Sequence, residues 1–162
     1  MDAYLEIRLL PDPEFTPTTL MSALFSKLHR GLVTHGGRNI GVSFPDVGKN
    51  GRSLGERLRL HGSRADLEKL MATNWLVGMR DHAAVSEITE VPAHAKQRVV
   101  RRVQAKSNPE RQRRRLIARK GITIGQAVQA IPDSTAEKLN LPYVVLTSQN
   151  SGKVEFALRS FD

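Results

Sequence analysis

YLEIRLL (residues 4 to 10) alternates apolar and polar side chains, the period of a strand with one buried face, and Pro11 and Pro13 bring it to an end. The period then lengthens. Leucines at 20, 24, 28 and 32 recur at helical spacing, Thr16 stands where a cap is needed, Pro17 suits a first helical position, and Gly36-Gly37 predicts the stop. Alternation returns at Ile40, Val42 and Phe44, closed by Pro45-Asp46, and again after a Gly-rich loop in ERLRLHG (56 to 62). Ser63 and Asp66 form a capping box with Asp in place of Glu, and Leu67, Leu70 and Met71 give a second helix its apolar stripe. VSEITEV (85 to 91) predicts a fourth strand.

That order, β-α-β-β-α-β, predicts a ferredoxin-like, RRM-like domain over residues 1–92. Beyond it, β-branched residues make QRVVRRVQ (97 to 104) extended. Ser107 to Glu110 is a full S-x-x-E capping box with Pro109 in the first turn, so a helix is expected from about Asn108 to Lys120. GITIGQAVQAI (121 to 131) and STAEKLN (134 to 140) predict short helices ended by Pro132 and Pro142. PYVVLTSQNSGKVEFALRSF joins two β-rich runs across Gln149 to Gly152, as a hairpin does. The expected architecture is α+β, with a smaller second lobe, residues 93–162, that carries an arginine-rich helix.

At 162 residues, 40% hydrophobic and 25% charged, the chain can form one ordinary domain or two small lobes. No run approaches the roughly 18 apolar residues of a membrane span, and MDAYLEIRLL lacks the layout of a signal peptide. The absence of cysteine excludes disulfides and thiolate metal sites and fits a cytoplasmic protein without membrane contact. Histidines at 29, 35, 61, 82 and 94 show no helical HxxxH spacing, and no metal or cofactor is expected. The net charge of +9 matters less than its distribution: residues 1–92 hold 11 basic and 11 acidic residues, residues 93–162 hold 14 and 5. A neutral scaffold followed by a module for a polyanion is the consequence, and nucleic acid is the commonest large polyanion in a cell.

Much of the excess lies in RVQAKSNPERQRRRLIARK (102 to 120), where Glu110 is the single acid. On a helix, Arg111, Arg114 and Arg115 share one side, Arg119 stands a turn beyond Arg115, and Arg113 looks elsewhere. Leu116, Ile117 and Ala118 are too few for a wide core stripe, and no rank of acids at i+4 offsets the repulsion, so such a helix gains stability when an anion arrives. A solvated face normally mixes signs, and a membrane-surface helix needs Leu, Phe or Trp opposite its charges; nucleic acid explains the pattern better than either. RRM-like sheets stack bases on aromatics, but the candidate strands offer only Tyr4 and Phe44, so stacking on the sheet is not expected.

YLEIRLLPDPEF, the KLH of the first helix, IGVSFPD, LGERLRLHG, RVQAKSNPER with its arginine run, IPDS with LNLPYV after it, and LTSQNSG follow one another from Met1 to Gly152. In that order they resemble the CRISPR-RNA-processing endoribonucleases of subtype I-F CRISPR systems. The resemblance implies a metal-independent enzyme that binds the repeat stem-loop of precursor CRISPR RNA and cuts at the 3′ base of the stem. The cut is by attack of a ribose 2′-hydroxyl on the adjacent phosphate, leaving a cyclic phosphate and a 5′-hydroxyl. It further implies that the enzyme keeps its product within a type I-F RNA-guided surveillance complex of several subunits.

His29 matches the family's catalytic histidine. On the helical wheel it stands about 180° from Leu20, at the rim of the apolar face. A histidine there is more often structural, but imidazole is the side chain that titrates near neutral pH and suits a general base. Ser148 matches the family's active-site serine, which positions the reacting ribose. On its own it reads as a hairpin serine bonding its backbone, and no GxSxG elbow makes it a nucleophile. Arg102 and Gln104 match residues that read base edges near the foot of the stem, in keeping with bidentate Arg–G and Gln–A pairing. Arg114, Arg115, Arg119 and Lys120 match the helix that lies in the hairpin's major groove, and Arg111 joins them by geometry. An A-form major groove is narrow, so phosphates are the main target. Phe156 is the candidate to stack on the closing base pair, displaced by one position from the family's aromatic.

Departures from the family pattern are Asn150 in place of a second serine, Ala118 within the basic series, and a chain that stops at Asp162 where the family continues into a Gly-rich, aromatic-ended tail. The competing class is a non-catalytic structured-RNA-binding protein. It would use the arginine helix equally well but would give His29 and Ser148 no shared purpose.

Overall fold

In a computed structural model, which describes residues 1–35, 39–48, 53–96, 99–103, 108–136, 140–148 and 152–161, the alternation of the first strand becomes a pattern of burial. Ala3, Leu5, Ile7 and Leu9 of β1 (Ala3–Leu9) are buried, and Leu58 and Leu60 of β3 (Arg57–Gly62) face the same core. Burying a leucine or isoleucine completely contributes about 1.5–3 kcal/mol, and these residues are the reason the strands pair in this register. β1 runs antiparallel to β3 with Leu5 opposite Leu60 and Ile7 opposite Leu58. Adding β2 (Gly41–Ser43) and β4 (Ala83–Val85) gives the order β2-β3-β1-β4, and β5 (Thr89–Glu90) also pairs with β1.

The single strand expected over 85 to 91 is therefore two short ones. Ile7 pairs with Val85 and Tyr4 with Thr89, so four residues on one strand span three on the other: a β-bulge. Ser86 causes it. Its hydroxyl accepts the Glu6 N–H at 2.9 Å while its own N–H donates to the Glu6 carbonyl at 2.8 Å, so a side chain takes the place of one ladder partner.

Two helices cover the sheet. α1 (Pro17–His35) starts where Thr16 Oγ1 accepts the Thr19 N–H at 3.3 Å, and it buries Leu20, Met21, Leu24 and Leu28. α2 (Arg64–Ala72) is capped by Ser63, which accepts the Asp66 N–H and donates to the Asp66 carboxylate, and it buries Leu67 and Leu70. Gly31 lets the segment after α2 approach α1: a Cβ there would lie 3.0 Å from Trp75 Cβ.

A second, three-stranded sheet has the order β6-β8-β7, from β6 (Val99–Val103), β7 (Tyr143–Ser148) and β8 (Gly152–Phe161). The expected hairpin is present, with Tyr143 opposite Ala157 and Ser148 opposite Gly152. Val144 and Leu146 are buried in the same core as Leu24 and Leu28, so β7 packs on α1.

The chain divides into two compact units, residues 1–102 with 141–162, and residues 103–140. The second holds α3 (Pro109–Lys120) and α4 (Ile124–Ala130). The cap of α3 differs from the expected box. Asn108, not Ser107, is the N-cap, and its side chain accepts the Arg111 N–H at 2.9 Å. Pro109 then occupies the first helical position, where its missing N–H leaves no bond unmade. Gly121 ends the helix in the left-handed conformation at φ 63°, its N–H on the Ile117 carbonyl. α4 carries a complete capping box between Thr123 and Gln126. Of the helix expected over 134 to 140, a 3₁₀ turn, Asp133–Thr135, forms, and 137–139 lie outside the described residues. Among the described residues no helix is long and apolar enough to cross a membrane.

Candidate functional site

His29 follows directly after the fully buried Leu28, and is itself exposed. Helical geometry explains the contrast, since neighbouring residues point about 100° apart. Among the described residues His29 makes no hydrogen bond or ion pair. Two other histidines are committed to the fold. His61 shares a 2.8 Å bond with Ser43, and burial, followed by the charge of Arg59, lowers its pKa from the ordinary value. His82 Nδ1 lies 2.7 Å from Asp12, whose carboxyl also accepts the N–H groups of Glu14 and Phe15 and is held below the usual carboxylate range by them. Among the described residues neither nitrogen of the His29 imidazole is engaged. No group of three or more His, Asp or Glu side chains is arranged to hold a metal ion among the described residues.

Ser22, Ser26 and His29 recur at i, i+4 and i+7, a polar stripe beside the apolar face of α1. Ser26 donates to the Ser22 carbonyl at 2.8 Å, a bond within the helix. Ser22 reaches outward: its hydroxyl accepts the Val145 N–H at 3.2 Å. The helix with His29 is thereby tied to β7, whose last residue is Ser148. Arg102 belongs to β6 and Phe156 to β8, opposite Val144. One three-stranded sheet therefore holds three of the expected site positions, in the same compact unit as His29. Gln104 lies outside the described residues.

The arginines of α3 separate into two groups. Arg113 turns into its own unit. Its Nε donates to the Ile131 carbonyl and a terminal nitrogen to Asp133, each at 2.7 Å, leaving the side chain 15% exposed. Arg111, Arg114, Arg115 and Arg119 are exposed and make no ion pair among the described residues, as does Lys120. On the wheel the four arginines span an arc of about 140° centred near Ala118. Arg115 and Arg119 also flank a shallow groove floored by Leu116 and Ile131. A cationic arc of this width, unneutralised among the described residues, attracts anions by elementary electrostatics.

Residues 4–159 match the family model of CRISPR-associated protein (Cas_Csy4). This chain belongs to the Cas_Csy4 family. It is 54% identical over 153 residues to the CRISPR-associated endonuclease Cas6/Csy4 of Pseudomonas aeruginosa (strain UCBPP-PA14), covering 94% of this chain and 82% of that protein. It is 46% identical over 151 residues to the protein of the same name from Escherichia coli (strain UTI89 / UPEC), covering 93% and 80%.

Neither aromatic ring expected on the first sheet of this Cas_Csy4 chain is free. Arg59 lies 4.7 Å above the Tyr4 ring and pairs with Glu6 at 2.6 Å, while Phe44 is buried beside Phe25. Arg57 is held in its charged form by a bidentate bond to Asp46. Ser22 is the residue that sequence reasoning missed. The signal was available as a serine in helical phase with His29, but nothing local says that its partner is a backbone amide 123 residues away.

Proposed function

We propose that this chain is a metal-independent endoribonuclease that binds the repeat stem-loop of precursor CRISPR RNA and cuts at the 3′ base of the stem. The observation that carries the reading is the imidazole of His29, exposed and unbonded among the described residues, on a helix that Ser22 ties to the strand ending in Ser148. Family membership supports the class of reaction.

In this reading a nitrogen of His29 takes the proton of a ribose 2′-hydroxyl. The freed oxygen attacks the adjacent phosphorus, and the P–O5′ bond breaks. A proton on O5′ completes the balance, leaving a 2′,3′-cyclic phosphate and a 5′-hydroxyl. Ser148 orients the ribose by hydrogen bonding. Arg102 and Gln104 read base edges at the foot of the stem, and Phe156 stacks on the closing pair. Arg111, Arg114, Arg115, Arg119 and Lys120 bind phosphates, which explains why the second half of the chain carries the whole excess charge. The sheet order, with one helix in each of two connections, supports a ferredoxin-like layout for residues 1–92, with 93–162 the basic RNA-binding part. After cleavage the protein stays on the mature RNA, among the other subunits of a type I-F surveillance complex in the cytoplasm.

Incubation with a repeat hairpin in excess EDTA tests the reading. Cleavage continues, and the 5′ fragment resists 3′-end ligation until its cyclic phosphate is removed. A chain that binds hairpins tightly and cuts none of them is a structured-RNA-binding protein instead.

The phosphate contacts make a separate prediction. Each contributes close to 0.9 to the slope of log affinity against log salt for a duplex, so replacing Arg111, Arg114, Arg115 and Arg119 together by glutamine makes the slope shallower by about 3.6. Arg113→Gln leaves the slope unchanged and lowers the thermal stability of its unit instead, because its partners are Ile131 and Asp133. Equal salt slopes for the quadruple variant and the wild type would refute phosphate binding by this helix.

A further inference from the structure

We infer that Ser22 is a positioning residue for the cleavage: it sets the register of β7 against α1. The inference rests on the proposed roles of His29 and Ser148. Ser22 Oγ accepts the Val145 N–H at 3.2 Å, a tie between residues 123 apart in sequence. Val145 sits opposite Glu155 in the hairpin, and β7 is an outer strand of the order β6-β8-β7. An N–H on the free edge of an outer strand has no strand to donate to. Ser22 supplies the acceptor, half-buried, where water is poorly placed to replace it.

Apolar contacts join the same two elements. Val144 and Leu146 share a core with Leu24 and Leu28. Apolar burial is non-directional, so it holds the strand down without choosing its position along the helix. A hydrogen bond has a fixed length and direction, and chooses. Ser26, the other hydroxyl of the stripe, is already bonded to the Ser22 carbonyl, so Ser22 is the hydroxyl of this stripe that reaches the strand.

The pin stands at a useful distance. From Ser22 to His29 is seven residues of helix, an advance of about 10.5 Å at 1.5 Å per residue. From Val145 to Ser148 is three residues of strand, about 10 Å at 3.3 Å per residue. The pinned bond therefore lies about 10 Å of chain from each of the two proposed site residues. Any slip at the pin reaches the far end undiminished, because both elements are rigid. A misplacement of about 1 Å costs on the order of 10²-fold in rate.

Single-turnover cleavage and hairpin affinity are to be measured for Ser22→Ala, Ser22→Thr and His29→Ala, with amide hydrogen exchange at Val145. Ser22→Ala is expected to cut about 10- to 10²-fold more slowly, to bind within about twofold of wild type, and to exchange the Val145 amide faster. Ser22→Thr keeps the hydroxyl and restores most of the rate. Wild-type cleavage by Ser22→Ala, equal losses of rate and affinity, or a threonine variant as slow as alanine would each overturn the inference. If His29→Ala loses cleavage while Ser22→Ala keeps it, the positioning role alone falls. If His29→Ala cuts normally, the site reading falls and takes this inference with it.

Discussion

Replacing His29 by alanine lowers the rate of hairpin cleavage by about 10²- to 10⁴-fold, the range contributed by a positioned proton-transfer group, and leaves hairpin affinity near that of the wild type. The expectation follows from where the residue stands. His29 is exposed and bonded to nothing among the described residues, so truncation opens no cavity and orphans no partner. The packing of that turn of α1 belongs to Leu28, which is 1% exposed. A substitution that spares the fold and removes only an imidazole isolates the chemistry. Single-turnover rates, with affinities measured on an uncleavable hairpin, check it. Parallel losses of rate and affinity would mean that His29 grips RNA instead of moving a proton.

A hairpin with a single 2′-deoxy nucleotide at the scissile position is bound and not cut. In the proposed mechanism the attacking oxygen belongs to the RNA, and its removal leaves no nucleophile. No side chain substitutes for it in the proposed mechanism, because Ser148 orients the ribose and is not activated as a hydrolase serine is. Binding survives, since the phosphates proposed to meet the arginine arc are unaltered. The full ribose hairpin, run beside it in EDTA, supplies the positive control. A cut at the modified position would show that water, not the 2′-hydroxyl, attacks phosphorus, and would remove the reason for a base at His29.

Legibility of the fold varied with how local its causes were. β1, α1, β3 and α2 lie within a residue or two of where alternation, leucine spacing and caps put them. Each signal acts over one or two turns and is confirmed by burial of the expected face. The fourth strand was misread because VSEITEV alternates convincingly, and only the partner strand shows that Ser86 interrupts the ladder at Glu6. The cap of α3 was misplaced by one residue because Ser107 and Asn108 are both good caps; the winner is the one whose side chain reaches the Arg111 N–H while Pro109 takes the first position. The separation of Arg113 from its neighbours was visible on the wheel. Its carbonyl and carboxylate partners, 18 and 20 residues away, were not.

The exposed arginines could be named from the charge pattern, and His29 and Ser148 from the family resemblance, before any coordinates. What they can do together was not in the motif. By itself the sequence determined the class of fold, the basic second half and the residue types available for a reaction, because these depend on composition and short-range periodicity; the family came instead from the match of whole motifs in order along the chain. Only the tertiary structure decided which histidines are engaged by Ser43 and Asp12, which arginine supports its own unit, and that a serine on α1 holds β7 by one backbone amide. Those are choices among partners distant in the chain, and they are made by packing: a hydrogen bond forms where the core brings donor and acceptor within about 3 Å, and no local pattern encodes that distance.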